Sequence, residues 1–141
     1  MSATPRLSII TPVKIADERG LAWLAQALQS VQAQTFEDLE HILVDDNSPV
    51  GQAHVAHTLN RATGRDSRFK LYAASGSGGC SMARNQAAQM ATAELLLPLD
   101  ADDYLAPDTV AQFMARWEDK PGVFLYPSVA MFDSAADGRV S

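Results

Sequence analysis

The sequence predicts an α/β fold, a doubly wound and mostly parallel sheet with helices on both faces. Three observations carry that prediction. Short apolar runs alternate along the chain with stretches of helical periodicity, the pattern of strands joined by crossover helices. Residues 95–99 are apolar at consecutive positions, as a strand covered on both faces requires. The 141 residues, 47% hydrophobic and 20% charged, are enough for one domain with its own core and unlike a disordered or coiled-coil chain.

Each element has a local reason. Leu7-Ser8-Ile9-Ile10 is an apolar run stopped by Thr11-Pro12 and predicts the first strand. Leu21, Leu24, Leu28 and Val31 recur at helical spacing among good helix formers, predicting a helix over 20–35. Residues 39–44 predict a second strand, closed by Asp45-Asp46-Asn47-Ser48-Pro49. Ala53, Ala56 and Leu59 predict a helix ending near Gly64. The third strand, 69–73, precedes a Gly-rich loop at 75–79 and a helix over 81–93. The fourth, 95–99, runs into Asp100-Ala101-Asp102-Asp103. Pro107 and Asp108 open a helix that reaches Trp117, because Pro lacks an N–H that the first turn does not need and a carboxylate suits the positive helix end. Val123-Phe124-Leu125-Tyr126 predicts a fifth strand, and the polar residues 133–139 predict a turn inside a hairpin, so that the fold stops part-way on its C-terminal side.

Charge and cysteine content exclude several classes. Seventeen acidic against 11 basic residues leave a net charge of −6, the wrong sign for a nucleic-acid binder that gains affinity by neutralising phosphates. A protein this acidic binds phosphates only with positive charge brought from elsewhere, such as a metal ion. Cys80 is the one cysteine, which rules out an internal disulfide or a Cys-based zinc site and suits a reducing compartment. No signal peptide or spanning helix is visible in the sequence, so the expected location is cytoplasmic, with peripheral attachment to the inner face of a membrane an option for a longer protein.

In open α/β sheets ligands bind beyond the carboxyl ends of the strands, where strand order reverses. Three predicted strands end in polar turns, at Thr11-Pro12, at Asp45-Asp46 and at Asp100-Ala101-Asp102-Asp103. If those strands are neighbours, one edge collects the carboxylates of Asp45, Asp46, Asp100, Asp102 and Asp103. Such crowding destabilises unless a cation or hydrogen bonds compensate. Strand-end aspartates also simply cap helices and turns, and either cluster alone is open to that reading. Two clusters on one edge favour a site. An Asp-x-Asp spacing suits Mg²⁺ or Mn²⁺, which take oxygen ligands from one or two carboxylates together with substrate phosphates.

Several motifs occur together. Leu7-Ser8-Ile9-Ile10-Thr11-Pro12-Val13 is followed by Ala27-Leu28-Gln29-Ser30-Val31 and Ala33-Gln34-Thr35-Phe36, then by residues 40–48, Ala83-Arg84-Asn85, and Leu99-Asp100-Ala101-Asp102-Asp103 with Pro107-Asp108. In this order and spacing the set resembles family-2 glycosyltransferases of the GT-A fold, across nearly the whole chain. The resemblance implies a nucleotide-sugar-binding domain over 1–141, incomplete on its acceptor side, in a metal-dependent and inverting transferase. It implies that Thr11, Pro12, Val13, Asp45, Asp46, Arg84 and Asp100 bind the nucleotide. Asp102 and Asp100 would hold Mn²⁺ or Mg²⁺, with Asp102 favoured as the direct ligand. The implied donor is a nucleoside-diphosphate sugar, a UDP-sugar favoured; the acceptor is open, and no general base is assigned because the family's lies downstream of Ser141.

Some positions depart from the family pattern. Lys14 and Ile15 stand where the family usually carries an aromatic residue and Asn, and Pro49-Val50 replaces the usual Thr-Asp. A non-catalytic nucleotide-sugar-binding module is one alternative, and a haloacid-dehalogenase-like phosphatase is a remoter one, since its Asp-x-Asp follows the first strand and Tyr104 stands where it carries a hydroxyl residue. His54 and His57 read as an exposed helix face, Cys80 as a packed small residue, and Met82 and Met90 as core. The loop at 75–79 lacks the ending of a P-loop and the third glycine of a dinucleotide fingerprint, so it reads as a flexible segment near the nucleotide or a plain turn.

Overall fold

The computed structural model describes residues 3–76 and 78–129. The elements run β1 (Leu7–Val13), α1 (Glu18–Gln32), β2 (Leu39–Asp45), α2 (Gln52–Thr63), β3 (Phe69–Ala73), α3 (Gly79–Met90), β4 (Leu95–Pro98) and α4 (Thr109–Asp119). The described residues fall into two compact units, divided between Ala111 and Gln112.

The first unit holds a four-stranded sheet of order β3-β2-β1-β4, with every pairing parallel. Right-handed crossovers place α1 and α2 on one face and α3 on the other. The packing agrees: α1 lies against α2, and α3 against β1 and β2. Ala83 and Ala87 let α3 approach Ile10, Ile42 and Val44 closely, with Tyr72 and Met90 packed around them. This is the expected α/β architecture with helices on both faces.

β1 runs three residues past the predicted stop. The Leu99 N–H bonds the Ile10 carbonyl and the Asp46 N–H the Val13 carbonyl, so residues of even number in β1 direct their backbone groups to β4 and odd ones to β2. Pro12 therefore faces the β4 side, beyond the last pair of that ladder, Ile10 with Pro98. Its missing donor forfeits no ladder bond, which is how a proline enters a central strand. Helix α2 ends as expected, Gly64 taking the left-handed conformation (φ 61°) with its N–H on the Asn60 carbonyl.

Two expectations fail. β4 is not covered on both faces: Leu96 is 45% exposed, because α3 lies over β1 and β2 and β4 is the outer strand of the described sheet. In the second unit, α4 continues to Asp119 and residues 123–126 form no strand. An apolar run becomes a strand only through ladder partners, and Phe124 and Tyr126 are exposed. The predicted turn at 133–139 lies outside the described residues.

At the amino end of the sheet, the buried Glu40 ties three strands and a turn together. Its Oε1 accepts Ser8 Oγ–H (2.7 Å), the Thr92 N–H (2.6 Å) and the Thr92 hydroxyl (2.8 Å), while Oε2 pairs with Lys70 Nζ (3.1 Å). Burial raises the Glu40 pKa, but these four donors outweigh it and hold the group at about 2.

Candidate functional site

Strand order reverses between β1 and β4, and at their carboxyl ends lies a cleft of about 400 Å³. Pro12, Lys14 and Ile15 line one side, Gly20 and Trp23 of α1 extend it, and Asp100 and Asp102 close it from the β4 end. Gly20 is required by space: a Cβ there would meet Ile15 Cγ2 at 2.9 Å. Asp17 caps α1, accepting the Gly20 N–H at 2.9 Å.

Of the five strand-end carboxylates, only those after β4 face solvent together. Asp100, Asp102 and Asp103 are exposed and can bring one oxygen each within 4.8 Å of the others. Burial, then the charges of Asp102 and Asp100, push the Asp103 pKa up. An all-oxygen, like-charged donor set of this kind fits a hard divalent cation such as Mg²⁺ or Mn²⁺. Arg84 Nη2 donates to Asp100 Oδ1 at 3.0 Å and contacts Cys80 Sγ at 3.4 Å. One Asp100 oxygen is thus already engaged, leaving Asp102 the less encumbered ligand.

Asp45 and Asp46 end β2 on the same edge but turn inward. Asp45 accepts the Ser48 hydroxyl, and Ser48 Oγ accepts the Ile15 N–H at 2.9 Å, so Asp45 braces the loop after β1. The Asp46 side chain is buried, and its Oδ2 has no hydrogen-bond partner among the described residues. A buried carboxylate oxygen without a donor costs free energy, so a ligand N–H or hydroxyl reaching it would be held firmly. Thr11 and Val13 are buried as well. Thr11 Oγ1 lies 2.7 Å from His41 Nε2, and burial drives the His41 pKa down to about 3, keeping the ring neutral. Among the residues proposed to bind nucleotide, then, the fold brings Pro12 and Asp100 to the cleft and joins Arg84 to Asp100, while the side chains of Thr11, Val13, Asp45 and Asp46 lie beneath.

Other placements differ from expectation. Cys80 is exposed and lines the cleft, because it lies one turn before Ala83, beyond the strand ends that α3 covers. Met82 is 39% exposed and leans over the loop before α3, where a Cβ on Gly78 would meet its Cβ at 2.7 Å. At least one loop glycine thus serves packing. Met90 joins the core, and His54 and His57 are exposed. Trp23 is half-buried in the cleft wall.

Ser30 and Gln34 were not foreseen as site residues. Ser30 Oγ accepts the Leu105 N–H (3.0 Å); Gln34 donates to the Ala106 carbonyl (2.7 Å) and accepts the Val110 N–H (3.0 Å). They fasten the segment that follows Asp100-Ala101-Asp102-Asp103 to the end of α1. Their polar character inside an otherwise apolar helical stripe was the available signal.

The sequence profile described as glycosyl transferase family 2 matches residues 8–139. The chain belongs to glycosyl transferase family 2. It is 33% identical over 125 residues to the O-antigen biosynthesis protein RfbC of Myxococcus xanthus, covering 89% of this chain and 9% of that protein. It is 30% identical over 113 residues to a Campylobacter jejuni GalNAc(5)-diNAcBac-PP-undecaprenol beta-1,3-glucosyltransferase, covering 79% and 34%. The chain therefore spans a minor part of these relatives. Its fold is similar to Staphylococcus aureus TarS 1-349 in complex with UDP-GlcNAc (TM-score 0.67, 19% identity, covering 94% of this chain and 41% of that one). It is also similar to the mannosyltransferase PcManGT of Pyrobaculum calidifontis in complex with GDP-Man and Mn²⁺ (TM-score 0.67, 24% identity, covering 86% and 34%). This family-2 chain shares the GT-A fold with them. No helix among its described residues is long and apolar enough to cross a membrane.

Proposed function

We propose that this chain binds a nucleoside-diphosphate sugar in the cleft between the ends of β1 and β4, as the donor-binding part of a metal-dependent, inverting glycosyltransferase. The observation that carries the reading is the exposed carboxylate set Asp100, Asp102 and Asp103 at the point where strand order reverses. Asp102 and Asp100 would hold Mn²⁺ or Mg²⁺, with Asp103 beside them. When bound, such an ion supplies positive charge to the diphosphate, which is worth several kcal/mol when that group departs. The nucleotide complexes of TarS and PcManGT support a donor of this class.

The chain's own residues orient the donor. The rigid Thr11-Pro12-Val13 segment offers a fixed backbone wall, and Asp46, with its unsatisfied Oδ2, is the acceptor reserved for the nucleoside. Arg84 restrains Asp100 so that the carboxylate is aimed before the ligand arrives. In the reaction, the acceptor oxygen bonds to the anomeric carbon, the bond from that carbon to the diphosphate breaks, and the nucleoside diphosphate leaves with the electron pair. The hydroxyl proton passes to a general base that no described residue is assigned to supply.

Calorimetry of UDP, GDP and TDP with and without Mn²⁺ tests the reading. At least one should bind with Mn²⁺, and Asp102→Ala should weaken it by more than about tenfold, the effect of losing a charged ligand. Failure of every nucleoside diphosphate to bind, with or without metal, would overturn it. Binding without sugar transfer or hydrolysis would instead favour a non-catalytic module.

A further inference from the structure

Resting on that reading, we infer that Lys14 contacts the donor's diphosphate and supplies the positive charge that the carboxylate-held metal leaves lacking. A divalent cation and Arg84, which is ion-paired with Asp100 at 3.0 Å, together bring three positive charges, and the carboxylates of Asp100, Asp102 and Asp103 match them, so a diphosphate bound there still carries at least two uncompensated charges. Lys14 lines the same cleft, and it forms no ion pair or hydrogen bond with the described residues even though Asp17, Asp100 and Asp102 share that lining.

Local structure explains its direction. Thr11, Pro12, Val13 and Ile15 are all buried, whereas Lys14, the residue just past the end of β1, is exposed and lines the cleft. Between buried neighbours on either side, its side chain is directed away from the core and towards the ligand side. An ammonium on a flexible stem suits phosphate oxygens as a mobile point charge. The same position holds an aromatic residue in the family pattern, so this chain exchanges a ring surface for a cation.

The test compares three ligands on the 141-residue chain, each with Mn²⁺: the nucleoside diphosphate that wild type binds best, the matching monophosphate and the matching nucleoside. Lys14→Met should weaken the diphosphate about tenfold, as expected for loss of one charge-assisted contact, and leave the nucleoside unchanged. Lys14→Arg should recover most of the loss. Equal weakening of diphosphate and nucleoside, or no weakening of either, would overturn the inference while leaving the cleft assignment intact. Absence of diphosphate binding by wild type would instead defeat the underlying reading. A thermal melt of Lys14→Met matching wild type completes the comparison, since this side chain is exposed.

Discussion

Glu40→Gln separates the stability of the sheet from the chemistry at its opposite end. The carboxylate is 3% exposed, takes three donors on Oε1 and one on Oε2, and is held at about 2 against an ordinary 4.5. A carboxylate whose pKa falls on folding contributes stability that is complete above the unfolded value and is lost as pH falls through the folded one. The depression corresponds to about 3 kcal/mol at pH 7, of which about 2 kcal/mol is gone at pH 3. Gln keeps an oxygen for Ser8 and Thr92 but has no charge for Lys70 and no proton to gain. Urea unfolding should therefore place the variant about 3 kcal/mol below wild type at pH 7 and only about 1 kcal/mol below at pH 3. The buried His41 also loses stability as pH falls below its unfolded value, but it does so in both proteins and cancels in the difference. A gap that stays constant with pH would refute the reasoning. Nucleotide affinity should not change, because Glu40 sits at the amino end of β2.

Two more tests address the site's foundations. Thr11→Val keeps the shape of the side chain but leaves His41 with neither ring nitrogen partnered, since Nδ1 already lacks one; a lower urea midpoint, worth about 1–3 kcal/mol, is expected, and an unchanged midpoint would show that the 2.7 Å contact carries no energy. Mn²⁺ affinity, followed by electron paramagnetic resonance as pH is lowered, should begin to fall above the range of an ordinary Asp, because Asp103 keeps its proton to higher pH. Asp103→Asn should move that decline to lower pH, and coincident normalised profiles would exclude Asp103 from the metal site.

Most of the fold was legible because the signals are local. The strand at Phe69–Ala73 was foreseen at its final bounds, and Gly64 marked the end of α2 through a conformation that glycine favours. The extension of β1 through Pro12 was not, because proline reads as a stop unless one knows which neighbour its nitrogen faces. The run at 123–126 looked like a strand because hydrophobicity and β-propensity carry no information about ladder partners. Within the site, Asp100 and Asp102 were legible from strand-end position and spacing. Gln34, 66 residues before Asp100, was not, since only docking brings the two segments together.

The sequence by itself determined the alternation of the first four strands with helices and placed two aspartate clusters at strand ends, because periodicity and turn chemistry act over a few residues. Only the tertiary structure decided which aspartates face a ligand. Asp45 and Asp46 turn into the protein, one to brace the loop after β1, while Asp100, Asp102 and Asp103 stay outside. It also set Arg84 on Asp100 and left Lys14 beside them without a partner among the described residues. The physical reason is that a side chain's charge is written in the sequence, but its partner, and hence its solvation and availability, is chosen by residues that folding brings near.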